Sequence, residues 1–504
     1  MKARIAVHRD FTISVIDGRI YSAFLEHLGR AVYGGIYEPG HATADADGFR
    51  GDVLDLVRDL HLPLVRYPGG NFVSNYNWED GIGPREQRPA RLDLAWRTTE
   101  TNEIGTDEFL KWCRKAGTEP MLAVNLGTKG FTEALAMLEY CNHPGGSYWS
   151  DRRKKNGATD PYGVKVWCLG NEMDGPWQMN HRTAHEYGRV ANEVARGMKT
   201  FDPSLDLVAC GSSHMNMPTY PAWEAEVLDE CYENVDYISL HTYWQNYEHD
   251  TANFLAKTVL LDRYIHTVGG IIDYVKAKKR SRHDVHISFD EWNVWYHSRA
   301  QDGSSDDGKG VGWQKAPPIL EDIYNFEDVL LVGCALNTFI RRSDRVKVAC
   351  IAQLVNVIAP IMTEDGGPAW RQTTYYPLLF ASLYGRGTAL NVAVDVPTYD
   401  AAVADDVPYL DVSAVANDDG KTVTFFMVNR NMTEEMTIDI SLVGFQPSAI
   451  LEHKVIANAD IAATNTAKNP DRIAPAKGRD VGLHDGAVTG KLPPGSYHVV
   501  RVAI

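Results

Sequence analysis

The sequence lacks several features that would each define a class of protein. No run approaches about 18 consecutive apolar residues, so no membrane span is predicted, and residues 1–10 lack the apolar segment of a secretory signal. Acidic residues outnumber basic ones, with 50 Lys and Arg against 66 Asp and Glu and a net charge of −16. Nucleic acids and anionic membranes attract basic surfaces. We therefore expect neither as a partner.

Cysteine is also scarce. The chain has seven cysteines, an odd number, scattered without a Cys-x-x-Cys pair. Most lie in apolar surroundings on predicted strands and helices, which is typical of buried thiols in a reducing compartment and not of disulfides or zinc ligands. A cytoplasmic protein is predicted.

The motifs of several enzyme classes are missing. The turn after Glu26 reads His27-Leu-Gly-Arg30 and is no dinucleotide fingerprint. No His-Glu-x-x-His occurs and no His-x-His follows the first predicted strand. Ser212 and His214 lie in no Gly-x-Ser-x-Gly elbow. We expect no cofactor, no catalytic metal and no serine nucleophile.

What the sequence does contain is a long alternation of strands and helices. From about residue 20, short apolar runs alternate with amphipathic stretches, which indicates βα units and a parallel sheet. The eight runs are 20–26, 64–71, 120–127, 164–172, 205–213, 235–243, 285–291 and 348–356. Helices are predicted between them at 52–60, 107–116, 183–199, 253–277 and 321–340. Eight such units predict an α/β fold of the (β/α)8 TIM barrel type.

After about residue 385 the pattern changes to strands separated by turns. Strand-like segments at 409–415, 422–429, 436–442 and 497–503 have no competing helical period. They predict an additional antiparallel β-sandwich (jelly-roll-like) domain, to which we expect the N-terminal strand at 3–17 to add. The predicted domains are a catalytic barrel, 18–384, and a sandwich formed from both termini, 1–17 and 385–504.

Polar residues end nearly every predicted barrel strand. Barrel active sites lie at the C-terminal face of the strands, so these residues are expected to converge on one rim. They are Glu26, Asn71, Asn125, Asn171, Glu172, Ser212, His214, His241, Tyr243, Glu291, Gln353 and Asn356.

Glu172 and Glu291 are the candidate catalytic pair. An ionised carboxylate at a buried strand end is costly without a partner, and two carboxyl groups about 5 Å apart are the equipment of a retaining glycosidase, against about 6.5–9.5 Å for an inverting one. Glu172 would be the general acid/base and Glu291 the nucleophile, oriented by Tyr243. The structural alternative is a cap or ion pair for Glu172 and an ion pair of Glu291 with Arg66.

Aromatic residues crowd the loops that follow the predicted strands. Sugars stack their apolar faces on rings, although any single ring can also fill a gap between elements. The set is Trp78, Trp96, Trp177, Trp244, Trp292, Trp295 and Trp313. As a group they favour a carbohydrate cleft, and His241 is interpreted as a residue that orients its neighbours.

Taken together, these motifs resemble the intracellular α-L-arabinofuranosidases of glycoside hydrolase family 51 over essentially the whole chain. The resemblance is carried by Glu26-His-Leu-Gly-Arg-Ala-Val-Tyr33, Arg66-Tyr-Pro-Gly-Gly-Asn71, Tyr76-Asn-Trp-Glu-Asp-Gly-Ile-Gly-Pro84, Arg91-Leu-Asp-Leu-Ala-Trp96, Cys168-Leu-Gly-Asn-Glu172, His241-Thr-Tyr243, Asp290-Glu-Trp-Asn293 and Ala352-Gln-Leu-Val-Asn-Val-Ile-Ala-Pro360.

The resemblance implies a retaining exo-glycosidase that releases terminal α-L-arabinofuranosyl residues from arabinan- or arabinoxylan-derived oligosaccharides. It implies Glu172 as acid/base, Glu291 as nucleophile, and a homo-oligomer, often a hexamer. The furanose would be held by Glu26, Asn71, Asn171, Tyr243 and Gln353, with Trp96 and Trp177 on the leaving-group side. We add Arg66 and His241 to the expected binding residues.

Other functions remain open at this stage. The nearest is an endo-β-1,4-glucanase or β-xylosidase of the same fold. A non-catalytic carbohydrate-binding protein would keep the cleft without turnover, and a metal-dependent barrel hydrolase would be sensitive to chelators. Residues 299–318, a long loop after the Glu291 strand, are a candidate lid.

Overall fold

The computed structural model describes residues 1–298 and 312–504. Within these ranges the strands are β1 (Lys2–Val15), β2 (Ser22–Phe24), β3 (Leu64–Tyr67), β4 (Arg91–Asp93), β5 (Thr98–Glu100), β6 (Glu119–Val124), β7 (Val166–Leu169), β8 (Asp206–Cys210), β9 (Tyr237–Trp244), β10 (His286–Val294), β11 (Val346–Ala352), β12 (Ile361–Thr363), β13 (Ala369–Arg371), β14 (Gly387–Asp395), β15 (Thr398–Ala401), β16 (Ala404–Pro408), β17 (Leu410–Asn417), β18 (Thr422–Asn429), β19 (Met436–Val443), β20 (Ala449–Ala457), β21 (Ala476–Lys477), β22 (Val481–His484), β23 (Ala487–Leu492) and β24 (Ser496–Ala503).

The α-helices of the described ranges lie mainly around the barrel. They are α1 (Gly51–Asp59), α2 (Thr106–Ala116), α3 (Phe131–Asn142), α4 (Tyr148–Lys155), α5 (Ala184–Phe201), α6 (Ala222–Cys231), α7 (Thr251–Lys279), α8 (Phe326–Arg341) and α9 (Tyr375–Tyr384). None of these described helices combines the length and the apolar character that crossing a membrane requires.

The predicted barrel is confirmed. In the described part of the chain, β10, β11, β2, β3, β6, β7, β8 and β9 close in that order into a parallel barrel, and each corresponds to one predicted run. Side chains such as Phe24, Met121 and Val348 point inward and fill it as one apolar cluster. The lumen is therefore a packed core, and the free space lies at the mouth.

The predicted helices are confirmed, with one boundary corrected. The helix expected from residue 321 begins at Phe326, because Asn325 caps it and accepts a hydrogen bond from the amide of Asp328 over 3.2 Å. Helices α3, α4 and α6 also lie between predicted strands, and α9 follows the last of them. In α9 apolar residues cover the whole circumference, so the sequence has no amphipathic period to detect there.

The second part of the chain is a sheet that encloses its own core. In the described ranges ten strands pair in the order β21-β20-β24-β18-β17-β14-β1-β19-β23-β22, and residues of both halves share one apolar cluster. The predicted sandwich is thus confirmed, but it is not wholly antiparallel. The N-terminal strand β1 pairs antiparallel with β14 and parallel with β19. We propose the barrel, 18–384, and the sheet, 1–17 with 385–504, as the two domains.

The sheet is joined firmly to the barrel. Every residue of β18 is buried, because Phe425 and Met427 face the sheet core while Phe426 and Val428 belong to the barrel-side core with helix α8. A separate hairpin, β15–β16, leaves the sheet and packs on helix α7 through Val407 and Ala256. This hairpin brings part of the second domain toward the barrel mouth.

Candidate active site

A cavity of about 760 Å³ opens at the C-terminal mouth of the barrel. Most of the predicted site residues line it, namely Glu26, Asn71, Trp96, Glu172, Trp177, Tyr243, Glu291 and Gln353. Arg66 and His241 do not line it but contact Glu291 and Glu172, which do, and Asn171 lies one contact deeper, bound to Arg66. The strand-end prediction therefore identified the wall of one cavity and part of the layer beneath it.

The two candidate catalytic carboxylates face each other. Oxygen atoms of Glu172 and Glu291 lie within 4.8 Å of one another. Glu172 follows barrel strand β7, and Glu291 lies within β10, three residues before its end. This spacing corresponds to the short separation of about 5–5.5 Å in retaining glycosidases, which leaves no room for a water between carboxylate and sugar.

Glu291 is held by two donors. Arg66 Nη1 donates to Oε1 over 2.6 Å and the Tyr243 hydroxyl to Oε2 over 2.7 Å. The ion pair with Arg66 that the structural alternative required therefore exists. Glu291 is nevertheless accessible to a ligand, because Glu291 and Tyr243 both line the cavity. The same arginine binds Asn171 Oδ1 over 2.6 Å, so it fixes the nucleophile candidate and a neighbouring amide in one geometry.

Glu172 has a strained backbone and a different set of partners. Its φ is +42°, a region that costs a non-glycine residue energy and that clusters at functional sites. The indole of Trp177 donates to Oε2 over 2.6 Å, and His241 Nδ1 lies 2.9 Å from Oε1. The cap or arginine pair expected from the structural alternative is absent among the described contacts of this side chain.

Asp290 was missed by the sequence reasoning. In a regular strand it would point away from Glu291, but β10 has one extra residue relative to β9 between Ser288 and Glu291, and such a bulge re-aims side chains. Asp290 Oδ2 lies 3.6 Å from Arg66 Nε and Oδ1 lies 3.1 Å from His241 Nε2. Burial opposes its charge, yet Arg66 and His241 lower the pKa of Asp290. A carboxylate next to a predicted nucleophile was the available signal.

His241 bridges the acidic residues of the site. Burial opposes a charge on the ring, but Glu291 and the hydrogen bonds with Asp290 and Glu172 raise the pKa of His241 to about 10. The ring is then protonated at neutral pH and donates from both nitrogens. The sequence predicts an orienting role for His241, and Glu172 and Asp290 are the partners on which that role would act.

His241 and the carboxylates around it are also the residues that could bind a metal ion. In the described ranges Glu172, His241 and Glu291 are the one group whose ligand atoms could hold an ion. A metal-binding imidazole needs a free lone pair, and a ring that donates to two carboxylates has none. The group therefore fits a charged hydrogen-bonding bridge better than a metal site, and metal independence stays a prediction.

Glu26 follows strand β2 and lines another part of the cavity wall. Its carboxylate accepts from the amide of Phe72 over 2.9 Å and from the indole of Trp96 over 3.0 Å, and Gln353 Nε2 lies 3.3 Å away. Burial, followed by the charge of Glu291, raises the pKa of Glu26 to about 8. At neutral pH it is therefore a neutral carboxyl group that can donate a hydrogen bond to a sugar hydroxyl.

Glu26 should limit activity on the alkaline side. Above a pH of about 8 it ionises, losing its donor and adding a second negative charge near Glu291. We expect kcat/KM of the native chain to decrease as the pH rises through this value. In Glu26→Gln, whose side chain cannot ionise, we expect this alkaline decrease to be absent. The measurement is kcat/KM from about pH 5 to about pH 10. An unchanged alkaline limb in Glu26→Gln would assign it to another group.

Gly70 is a second residue that the sequence reasoning passed over. A Cβ there would lie 2.4 Å from Glu26 Oε2 and 2.7 Å from Oε1. Glu26 is fully buried, so it can move only by breaking its contacts. Gly70→Ala should lower kcat/KM by about 10²-fold, the usual cost of a displacement of about 1 Å in a catalytic site. Gly270→Ala, where a Cβ meets nothing within 4 Å, is the matched control, and an equal loss in both variants would contradict this explanation.

The seven predicted tryptophans divide between the cavity wall and other positions. Trp96, Trp177, Trp244 and Trp295 line the cavity, whereas Trp78, Trp292 and Trp313 do not. Trp292 is fully buried against Phe339, and Trp78 packs on Tyr140. These rings fill gaps between elements. Trp96 contacts Glu26, so it stands on a different wall from Trp177.

Three other predicted rim residues have local roles. Asn125 accepts from the amides of Gly127 and Thr128 and so shapes its own turn. Asn356 holds Arg30 and Thr363. Ser212 is buried, while the neighbouring His214 does line the cavity. The candidate lid, 299–318, lies outside the described residues for 299–311, and within its described end Trp313 and Gln314 accept hydrogen bonds from Thr99.

Comparison with known proteins gives two family matches. The model described as "Alpha-L-arabinofuranosidase 1 domain" matches residues 56–264, which include Glu172. The model described as "Alpha-L-arabinofuranosidase C-terminal domain" matches residues 290–496, which include Glu291 and most of the sheet. Each candidate catalytic residue therefore lies inside a region characteristic of these proteins.

Whole-chain relatives agree. An intracellular exo-α-(1→5)-L-arabinofuranosidase from Halalkalibacterium halodurans is 54% identical over 100% of this chain and 99% of its own. An exo-α-(1→6)-L-arabinofuranosidase from Bifidobacterium longum is 47% identical over 99% of this chain and 97% of its own. A solved family 51 α-L-arabinofuranosidase from Bifidobacterium longum is 44% identical, with a TM-score of 0.94 and 99% of both chains covered.

Proposed function

This chain belongs to the α-L-arabinofuranosidases of glycoside hydrolase family 51, and we propose that it releases single α-L-arabinofuranosyl residues from the non-reducing ends of arabinan- or arabinoxylan-derived oligosaccharides, with retention of configuration. The observation that carries the mechanism is the approach of Glu172 and Glu291 to within 4.8 Å. Family membership disfavours an endo-β-1,4-glucanase, a β-xylosidase and a non-catalytic sugar-binding protein.

In the first step Glu291 attacks the anomeric carbon and the bond to the leaving oxygen breaks. Glu172 gives its proton to that oxygen, and a covalent arabinosyl ester of Glu291 forms. Arg66 and Tyr243, each donating to one oxygen of Glu291, hold the carboxylate in line with the sugar. Trp177 and His241 hold Glu172 at the side of the leaving group.

In the second step Glu172 acts as a base. It takes a proton from a water that enters the place of the leaving group, the water attacks the anomeric carbon, and the ester to Glu291 breaks. Two displacements at the same carbon return the original configuration. The pair thus ends the cycle with the proton on Glu172 and a free Glu291.

The glycone is held on the wall formed after β2, β3 and β11. Glu26, Asn71 and Gln353 line the cavity there, and their oxygen and nitrogen atoms suit the hydroxyls of a pentofuranose. Asn171 lies beneath this wall and accepts a hydrogen bond from Arg66. By family resemblance we still propose it as the ligand of the hydroxyl next to the reacting carbon, where contacts strengthen in the transition state. Because the relatives are named for (1→5) and (1→6) linkages, we propose no single natural linkage.

We further propose a cytoplasmic location and a homo-oligomer. The location is supported by the word intracellular in the name of the Halalkalibacterium relative and by the seven cysteines, which are all buried and unbridged as predicted. The hexamer rests on family resemblance, and the mass of the native protein in solution tests it.

The test of this function is a substrate panel. The purified chain is incubated with 4-nitrophenyl α-L-arabinofuranoside, the β-D-xyloside and a β-1,4-glucan, each with and without a chelator. We expect rapid release from the arabinofuranoside, little from the others, and no chelator effect. Release from the xyloside or the glucan alone would contradict the arabinofuranose site, and loss of activity with chelator, restored by a metal, would contradict the metal-free mechanism.

A further inference from the structure

The cavity extends well beyond the two carboxylates. Part of its lining comes from the loops after β8 and β9, from helix α7 and from the β15–β16 turn. We call this part the distal arm, and its residues are Met215, Asn216, Gln245, Lys257, Leu260 and Val403. None of these residues takes part in the steps above. A single pentose would leave this arm empty, so the question is which part of a substrate enters it.

The strand order gives the direction of the arm. The glycone residues Glu26, Asn71 and Gln353 follow β2, β3 and β11, which are neighbours on one side of the barrel. Glu172 follows β7, and the loops after the next two strands, β8 and β9, carry the near part of the arm. A leaving group whose oxygen is protonated by Glu172 therefore departs from the glycone wall toward the distal arm.

The far wall of the arm comes from the second domain. Val403 lies in the two-residue turn between β15 and β16, and its amide donates to Asn253 Oδ1 over 3.1 Å. The hydroxyl of Tyr399 donates to the carbonyl of Ala252 over 3.0 Å. These contacts and the packing of Val407 on Ala256 fix the hairpin to the start of helix α7. The turn is thus a positioned wall of the cavity.

The chemistry of the arm suits a neutral sugar chain. Met215, Leu260 and Val403 offer an apolar surface for the C–H faces of sugar rings, and Asn216 and Gln245 offer polar groups at the exposed edge. Lys257 donates to the carbonyl of Gln245 and, as an ammonium with three donors, can also reach a hydroxyl. A few polar groups on an apolar wall are typical of ligand sites.

We propose that the distal arm binds the second and following sugar residues of the leaving group, so that Val403 sets the preference for neutral oligosaccharides over small aglycones. This inference rests on the proposed function. The hairpin of the sheet domain is then part of the substrate site, and the chain gains specificity from a residue more than 200 positions away in sequence from Glu172.

The inference is tested with variants in which a large side chain fills the distal arm. Val403→Trp places a large ring in the arm, and Ala402→Trp, in the same turn but exposed and not lining the cavity, is the matched control. Substrates are 4-nitrophenyl α-L-arabinofuranoside and linear (1→5)-arabinobiose, arabinotriose and arabinotetraose. Leu260→Trp, which fills the arm from helix α7, is a second blocking variant in case the first fails to fold.

We expect both blocking variants to lower kcat/KM for the triose and tetraose by about tenfold or more, the effect of losing a specific pocket contact, with the aryl glycoside and the biose changed less than about twofold. An equal loss on all substrates, no loss on any, or the same pattern in Ala402→Trp would overturn the inference and leave the proposed function intact. Failure of the unaltered chain to hydrolyse any arabinofuranoside would overturn both.

Discussion

Glu291→Ala is expected to lower kcat on aryl and oligosaccharide arabinofuranosides alike by about 10⁴-fold or more, the range found when an attacking residue is removed. No covalent ester can form without the carboxylate, whatever the quality of the leaving group. The residual rate of the purified variant on both substrate types is the measurement. A loss restricted to one type would mean that Glu291 does not attack the sugar.

The control for this result must separate catalysis from folding. Buried Arg66 pairs with Glu291 and, over 3.6 Å, with Asp290. Removing the Glu291 charge leaves this arginine one carboxylate partner, so Glu291→Gln should be compared with the native chain by thermal unfolding. Glu327→Gln is a matched control, because Glu327 is a buried carboxylate outside the cavity that binds Asn246. It should keep kcat/KM within about twofold of the native value.

Glu172→Ala is expected to separate the two substrate types. Oligosaccharide leaving groups need protonation, so their kcat/KM should fall by about 10²–10⁴-fold, the range of general acid catalysis. Aryl glycosides with good leaving groups should form the ester almost normally and then accumulate it. Azide needs no general base, so it should attack the ester, raise turnover of the aryl substrate and give an arabinosyl azide.

The opposite pattern has a clear meaning. If aryl and oligosaccharide substrates lose activity equally and azide has no effect, Glu172 is not the acid/base.

Trp177→Phe, which removes the indole donor to Glu172 and keeps a ring, should give a smaller loss of the same selective kind, because the carboxyl group is then present but less well held.

The sequence predicts the barrel well for a physical reason. Parallel strands buried on both faces read as continuous apolar runs, and their C-terminal ends are where polar residues can reach a common cavity. Glu172 and Glu291 could therefore be found without coordinates. The N-terminal strand could be assigned to the sheet on the same pattern, but its parallel pairing with β19 could not, because alternation does not encode the direction of a partner.

What escaped prediction depends on tertiary geometry. Asp290 joins the site because of a one-residue bulge in β10. Its place next to Glu291 is visible in the sequence, but the bulge that turns its side chain toward the site is not. Gly70 is required because the carboxyl group of Glu26 occupies the space that a Cβ at this position would need. Two further positions could not be assigned from the sequence. Trp292 is next to the nucleophile in the chain but packs in the core, whereas Val403 belongs to the sheet domain but lines the cavity.

The most direct test of the two-carboxylate mechanism is the configuration of the first product. Hydrolysis of an α-L-arabinofuranoside is followed by proton NMR at early times, before the free sugar equilibrates between anomers. Retention, seen as initial release of the α-furanose, is the result expected from Glu172 and Glu291 at their spacing of no more than 4.8 Å. Initial release of the β-furanose would mean a single displacement by water and would contradict the role assigned to Glu291.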